Sequence, residues 1–271
     1  MVSLYQLAIT VGFLAAYLVN YLLLDFSDSR IFSSPLLNKI FNTEVWRAML
    51  GMETFPAFLF IIMIFFVPES PRWLILKNRI EKSRSIIYRI HKDRKDADNE
   101  INTIRESTTG DTKSEWALLL KPGIFKAVII GVAIAMLGQF MGVNAVLYYG
   151  PTIFEESGLS KGDSLFYQVM VGLVNMGTTV IALLIIDKVG RKKLVYWGVS
   201  GMIISLILIG FYFLIGKESG LSSMFLLIFF LFYIFCCAIS ICAVIFVLLS
   251  EMYPTRVRGL AMSVAGISLW I

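Results

Sequence analysis

The chain alternates long apolar runs with shorter polar connections. Six runs are long enough to cross a bilayer, because a membrane helix needs about 20 predominantly apolar residues. These predicted spans cover residues 2–24, 45–67, 124–149, 164–186, 194–215 and 224–249. A seventh run, 260–271, has only 12 residues and is too short to cross a bilayer by itself, so we expect an incomplete span there. The pattern predicts an all-α, polytopic membrane protein.

One long polar segment, residues 68–123, interrupts the apolar runs. Its apolar positions recur at helical spacing, which favours short amphipathic helices lying on the membrane surface. Pro68 and Pro122 lie at its two ends, where proline typically ends or begins a helix. We therefore divide the chain into a first membrane part (1–67), a helical linker (68–123) and a second membrane part (124–271).

Composition and charge agree with a membrane location. Hydrophobic residues make up 58% of the chain and charged residues 16%, whereas soluble domains have about 45–50% and about 25%. Of the 24 Lys and Arg residues, 19 lie on one side of the predicted membrane, mostly in residues 68–123. The positive-inside rule makes that side cytoplasmic and explains the net charge of +5 without a nucleic-acid partner. We expect a cell-membrane protein with its N-terminus and linker in the cytoplasm.

Uncharged polar side chains interrupt the third span. The stretch Gly138-Gln-Phe-Met-Gly-Val-Asn144 places two amides within an apolar run, and Tyr148 and Tyr149 follow. Lipid cannot hydrogen-bond an amide, so Gln139 and Asn144 must face a polar partner, water or a ligand. Two interpretations stay open on this stretch alone: a helix-packing face with amides bonded to a neighbouring helix, or a site for a neutral, polyhydroxylated molecule.

The chain has few groups for covalent or metal chemistry. Its three cysteines, Cys236, Cys237 and Cys242, lie in one apolar span without metal-ligand or disulfide spacing, so we interpret them as small buried thiols. There is one histidine and no pattern for a catalytic triad, a zinc site or a phosphate loop. We expect neither an enzyme nor a bound metal or cofactor.

Three short motifs mark the predicted cytoplasmic ends of the spans. They read Pro68-Glu-Ser-Pro-Arg-Trp-Leu74, Asp187-Lys-Val-Gly-Arg-Lys-Lys193 and Glu251-Met-Tyr-Pro-Thr-Arg-Val-Arg-Gly259. Each places a carboxylate a few residues before an arginine, a pair suited to bidentate bonding. A single motif of this kind is typical of ordinary membrane-edge charge. Three on one face favour a charge network that closes the cytoplasmic side, formed by Glu69, Arg72, Asp187, Arg191, Glu251 and Arg258.

These motifs, in this order and with Gln-Phe-x-Gly-x-Asn in the third span, resemble the sugar porter family of the major facilitator superfamily. The resemblance covers essentially the whole chain. That family has twelve membrane helices in two six-helix bundles and moves monosaccharides by alternating access. The resemblance implies a truncated major facilitator fold with about helices five to eleven: the last two helices of the N-terminal bundle in 1–67, and an incomplete C-terminal bundle in 124–271.

The resemblance also implies a set of sugar-binding residues. Amides both donate and accept hydrogen bonds, as sugar hydroxyls do. The implied set is Gln6, Gln139, Asn144, Tyr148, Tyr149, Asn175 and Phe246. The chain departs from the family pattern at five positions: Gly138 and Phe13 replace glutamines, Phe246 replaces a tryptophan, and Cys242-Ala243 replaces a Gly-Pro helix break. We therefore expect a less polar pocket than is usual, and a stiffer tenth helix.

Several functional points stay open. The resemblance implies a monosaccharide substrate, no cofactor and a monomer in the lipid bilayer. Proton coupling in the family uses an aspartate of the first helix, which this chain does not match, so symport and facilitated diffusion are not distinguished. The altered tenth helix motivates an alternative, a transporter-like sensor or truncated remnant that does not transport.

Overall fold

The computed structural model describes residues 2–29, 32–90, 94–108, 112–216, 220–254 and 257–269. Six helical stretches in these ranges are long and apolar enough to cross a membrane, and each overlaps one of the six predicted spans. The chain is therefore a multi-pass, all-helical membrane protein, as predicted.

The first part is dominated by one long helix. Its elements are α1 (Val2–Ser29), α2 (Pro35–Asn38), a π-helical turn (Lys39–Thr43), α3 (Trp46–Met52) and α4 (Thr54–Ile64). None of the residues of α4 is buried. A lipid-facing apolar helix needs no protein cover, because its backbone bonds are satisfied within the helix.

The linker contains four short helices in its described part: α5 (Pro71–Leu76), α6 (Ile80–Ile90), α7 (Arg94–Thr108) and α8 (Thr112–Leu119). The first three share a small apolar core formed by Ile75, Ile87, Ala97 and Ile101. Ser83 Oγ in α6 donates to the Pro71 carbonyl at 3.1 Å, which fixes α6 against the start of α5. The linker thus has a small core of its own.

The second membrane part surrounds one buried helix. Its elements are α9 (Pro122–Phe140), α10 (Val143–Glu156), α11 (Lys161–Val189), α12 (Arg191–Phe211), a π-helical turn (Tyr212–Gly216), α13 (Ser223–Cys237), a second π-helical turn (Ala238–Cys242), α14 (Ala243–Met252) and α15 (Arg258–Ser268). More than half of the apolar window in the stretch α13 to α14 is buried. Gly198 and Gly201 of α12 permit its close approach, because a Cβ at either would collide with Ser240 or Cys236. Helix α1 packs along α11, so the two membrane parts are in contact.

Two of the membrane-spanning stretches are irregular, at three points in all. Gly142 separates α9 from α10 in the left-handed region, with φ of 86°, which glycine adopts without a steric penalty. Pro151 lies within α10. The turn Ala238–Cys242 separates α13 from α14 and contains neither glycine nor proline. The expected stiffening of this helix stays a prediction, but the helix is not a regular α-helix at this point.

Candidate functional site

A cavity of about 360 Å³ lies between α1, the α9–α10 break, α11, and the stretch from α13 to α14. This volume falls in the range of about 300–1,000 Å³ found for small-molecule sites. Six of the seven predicted binding residues line it: Gln6, Gln139, Asn144, Tyr148, Asn175 and Phe246. The structure therefore brings together residues that are separated by up to 240 positions in sequence.

The break between α9 and α10 positions two of the amides. At the end of α9, the Met141 carbonyl accepts a hydrogen bond of 2.7 Å from the hydroxyl of Tyr233 in α13. Gly142 then turns the chain, and Asn144 Nδ2 donates to Gln139 Oε1 at 2.9 Å. The amide group of Gln139 and the carbonyl oxygen of Asn144 retain hydrogen-bonding capacity towards the cavity. The break thus presents one donor group and one acceptor side by side.

Helix α1 supplies the opposite wall. Gln6, Ile9, Thr10 and Phe13 all line the cavity, as residues three or four apart share one face of a helix. Sequence analysis missed Tyr5 and Thr10, although the helical spacing from Gln6 to Thr10 was available as a signal. The Phe13 ring lies 6.0 Å from the Tyr148 ring, so an aromatic contact stands where the family places a glutamine.

Tyr149 is the predicted binding residue that does not line this cavity. Its side chain is 64% exposed. Neighbouring residues of an α-helix are rotated by about 100°, and here Leu147 and Tyr148 lie on the side of α10 that faces the cavity. The structure brings Tyr148 to the cavity and places Tyr149 outside it.

A polar contact beside the cavity links α1 to α10. Pro151 has no N–H, which frees the carbonyl of Leu147 one turn earlier. That carbonyl accepts hydrogen bonds from the hydroxyl of Tyr17 at 2.7 Å and from Gln168 Nε2 at 2.9 Å. A smaller pocket of about 180 Å³, which Asn20 also lines, adjoins this contact. Sequence analysis missed it, because Pro151 lies just beyond the predicted span 124–149, whereas the structure continues α10 to Glu156.

Two of the cysteines are in contact at the cavity wall. Cys237 Sγ and Cys242 Sγ are 3.4 Å apart, and both residues line the cavity. Residues five apart point in different directions on an α-helix, but a π-helical turn has i to i+5 hydrogen bonds and brings them together. All three cysteines are free thiols, as the sequence indicated, and Cys237 is buried whereas Cys242 is partly exposed. Cys236 faces Gly201 of α12 instead.

The predicted charge network is placed in part. Arg191 Nη2 lies 3.0 Å from Glu251 Oε1, which joins the start of α12 to the end of α14. Arg258 Nε donates to the Tyr253 carbonyl at 3.4 Å, and Glu69 is exposed. The side chains of Arg72 and Asp187 lie outside the described part of the chain. The structure thus joins the second motif to the third, and the role of the first stays a prediction.

Comparison with known proteins gives relatives over the whole chain. This chain is 35% identical over 268 residues to the glucose transporter GlcP of Staphylococcus epidermidis, and the match covers 98% of this chain and 55% of the relative. It is 35% identical over 273 residues to the D-xylose-proton symporter of Escherichia coli K12, covering 100% of this chain and 52% of that one. The chain thus spans about half the length of these curated relatives.

Solved structures agree with the sequence comparison. The proton:xylose symporter XylE of the major facilitator superfamily, bound to 6-bromo-6-deoxy-D-glucose, matches with a TM-score of 0.75 and 33% identity, covering 99% of this chain and 53% of that one. The model of the family described as "Sugar (and other) transporter" matches residues 1–271. The chain therefore belongs to the sugar transporter family of the major facilitator superfamily.

Proposed function

We propose that the protein carries a monosaccharide across the cell membrane by alternating access, with the sugar bound in the 360 Å³ cavity. One observation carries this proposal. The amides of Gln6, Gln139, Asn144 and Asn175, from three separate stretches of helix, converge on one cavity that aromatic rings also line. Scattered amides would have fitted helix packing alone, whereas this convergence supports a shared ligand.

The residues that line the cavity are chemically complementary to a neutral, hydroxylated solute. Amides match sugar hydroxyls because both groups donate and accept hydrogen bonds. Phe246 and Tyr148 offer apolar faces to a sugar ring. Among the described residues that line the cavity, none is Asp, Glu, His, Lys or Arg. The names of the relatives include transporters of glucose, xylose, arabinose and galactose, which supports a monosaccharide.

Transport of this kind leaves the sugar chemically unchanged, so the proposed cycle needs no catalytic group and no cofactor. We place the N-terminus and residues 68–123 in the cytoplasm from the distribution of basic residues. The Arg191–Glu251 pair then lies at the cytoplasmic end of the second membrane part, where we propose that it helps to hold this end closed. Proton coupling, found in the names of several relatives, would need a carboxylate outside this lining.

The test is uptake of radiolabelled xylose, glucose, galactose and arabinose by the whole protein in proteoliposomes. Gln139→Ala removes a cavity amide and leaves Asn144 without its partner. Loss of a buried polar partner costs about 1–3 kcal/mol, or roughly a 5- to 150-fold increase in the apparent KM. Asn144→Ala should have a similar effect. Tyr149→Phe is the control, because Tyr149 lies outside the lining, and should leave uptake unchanged.

The outcomes separate the function from the site. Absence of uptake for all four sugars by the wild-type protein would contradict the proposed function. Sugar uptake that is unaffected by Gln139→Ala and Asn144→Ala would keep the function but remove the proposed site.

A further inference from the structure

Cys237 and Cys242 are placed together at the wall of the cavity. Their sulfurs are 3.4 Å apart, and the π-helical turn Ala238–Cys242 lies between them. We propose that the two thiols form a dithiol site that binds trivalent arsenicals, with both sulfurs bonded to one arsenic atom. This site is separate from the amide site, although both open into the same cavity.

The turn that pairs the thiols is held from two sides. Ser240 Oγ in the turn donates to the Cys236 carbonyl at 2.6 Å, in the preceding helix. Gly198 of α12 lies directly against Ser240 and Cys236, where a Cβ would collide with both. Because α12 packs closely on this turn, the separation of the two sulfurs is set by the fold before any ligand binds.

The distance between the two sulfurs determines which bond angle an atom bound to both of them must have. With bonds of about 2.3 Å, the length of a zinc–thiolate bond, a 3.4 Å separation corresponds to an angle of about 95° at the bridging atom. A linear two-coordinate centre with the same bonds would need sulfurs about 4.6 Å apart. Trivalent arsenic is pyramidal and accepts two sulfurs at such an angle. Two soft thiols at this spacing therefore favour it over a linear soft cation.

The bonding step balances without an oxidant. An organic arsenic(III) oxide, R–As=O, reacts with two thiols to give R–As(S–Cys)₂ and one water. Two S–H bonds and the arsenic–oxygen bond break, two arsenic–sulfur bonds form, and both protons leave on the oxygen. Arsenic stays trivalent. The two arsenic–sulfur bonds close a ring that includes the chain between the two cysteines. A ligand held by one thiol is not part of such a ring and is removed by an excess of a monothiol.

Access to the pair is through the cavity. Cys237 is 1% exposed and Cys242 is partly exposed, and both line the 360 Å³ space. Cys236, the third cysteine of the chain, packs against Gly201 on the other side of the helix. It is a matched control with the same chemistry in the same helix.

The test treats the purified chain with phenylarsine oxide, washes it with excess 2-mercaptoethanol, and measures the intact mass. Wild type and Cys236→Ala should retain one phenylarsenic group with loss of two protons per chain. Cys237→Ala and Cys242→Ala should each retain less than a tenth of that adduct. In Cys236→Ala, where Cys237 and Cys242 are the two thiols left in this chain, the protein unfolded by heat in detergent should form the adduct at least tenfold more slowly than the folded protein, because the turn no longer sets the spacing.

Three results would overturn the proposal: no retained adduct in the wild type, an adduct in Cys242→Ala equal to that in the wild type, or loss of the adduct in Cys236→Ala. Equal rates of adduct formation by folded and unfolded Cys236→Ala would also overturn it. This comparison decides the proposal even if Cys237→Ala or Cys242→Ala disturbs folding.

Discussion

Tyr17→Phe is the sharpest test of how the two membrane parts separate. The substitution removes only the hydroxyl that donates to the Leu147 carbonyl at 2.7 Å and thereby links α1 to α10. Alternating access requires these helices to separate on one side of the cavity. We expect the bond to exist in the state that is closed on this side and to be absent in the state that is open there.

The free-energy cost of Tyr17→Phe depends on whether the Leu147 carbonyl keeps another hydrogen-bond donor. Pro151 frees the Leu147 carbonyl, and Gln168 Nε2 still donates to it at 2.9 Å when the tyrosine hydroxyl is gone. No buried carbonyl is left unsatisfied, so the loss is that of one ordinary hydrogen bond, about 1 kcal/mol. This corresponds to a roughly fivefold shift of the equilibrium towards the state that is open on this side. The ring of residue 17 keeps its packing on Phe13.

The assay uses a single reporter thiol. In a background with the three native cysteines replaced by alanine, Asn20→Cys places a thiol in the small pocket beside Tyr17. The rate of labelling by a membrane-impermeant maleimide then reports how often this side opens. Tyr17→Phe should raise the rate about fivefold. Tyr21→Phe is the control: it makes the same substitution one turn later on α1, where the ring packs on Phe166 at 5.7 Å.

Equal labelling rates for the wild type and Tyr17→Phe would show that the hydroxyl does not hold the closed state. An equal increase in Tyr21→Phe would show that loosening of α1 in general, and not loss of this hydrogen bond, exposes the pocket. Either result would refute the reasoning.

Two further predictions concern stability. Gly131→Ala should lower the thermal unfolding midpoint by the equivalent of about 1–3 kcal/mol, because a Cβ there would collide with the buried Tyr253. Gly138→Ala is the control and should leave the midpoint unchanged or raise it, because its Cβ would only touch neighbours at 3.4 Å. Equal midpoints for the two variants would contradict this prediction. Glu251→Gln removes the partly exposed ion pair with Arg191 and should lower the free energy of unfolding by at most about 1 kcal/mol. This difference should vanish in about 1 M salt, where the Debye length is about 3 Å. A difference that does not depend on salt would show that the pair does not stabilise the protein by charge attraction.

Hydropathy predicted the membrane helices well, and the helix ends less well. Helix α1 continues to Ser29, five residues beyond its predicted span, through Asp25 and Asp28. Helix α11 begins at Lys161, three residues early, because the Ser160 hydroxyl accepts a hydrogen bond from the Asp163 N–H and caps the helix. Apolar runs define the part of a helix in lipid, whereas caps and polar first turns extend it beyond that part.

The candidate site was also predicted only in part: its motif residues were identified, but a long-range contact beside them was not. Motifs and helical spacing identified Gln139 and Asn144, whose amides meet across the break at Gly142. The link between Tyr17 and Leu147 joins residues 130 positions apart. Nothing local in the sequence says that these two will be neighbours. Pro151 indicates a free carbonyl at residue 147, but only the packing of α1 on α11 identifies the donor.

The stretch from α13 to α14 shows how a helix break can survive the loss of the residues that usually make it. The family pattern places Gly-Pro where this chain has Cys242-Ala243, and glycine and proline break helices by their backbone chemistry. Here the chain leaves α geometry one turn earlier, at Ala238–Cys242. Such π-helical turns are often found at functional sites, and Ala238, Ile241 and Cys242 of this turn line the cavity. The substitutions therefore change how the break is made while keeping it at the cavity wall, and this favours a transporter over an inert remnant.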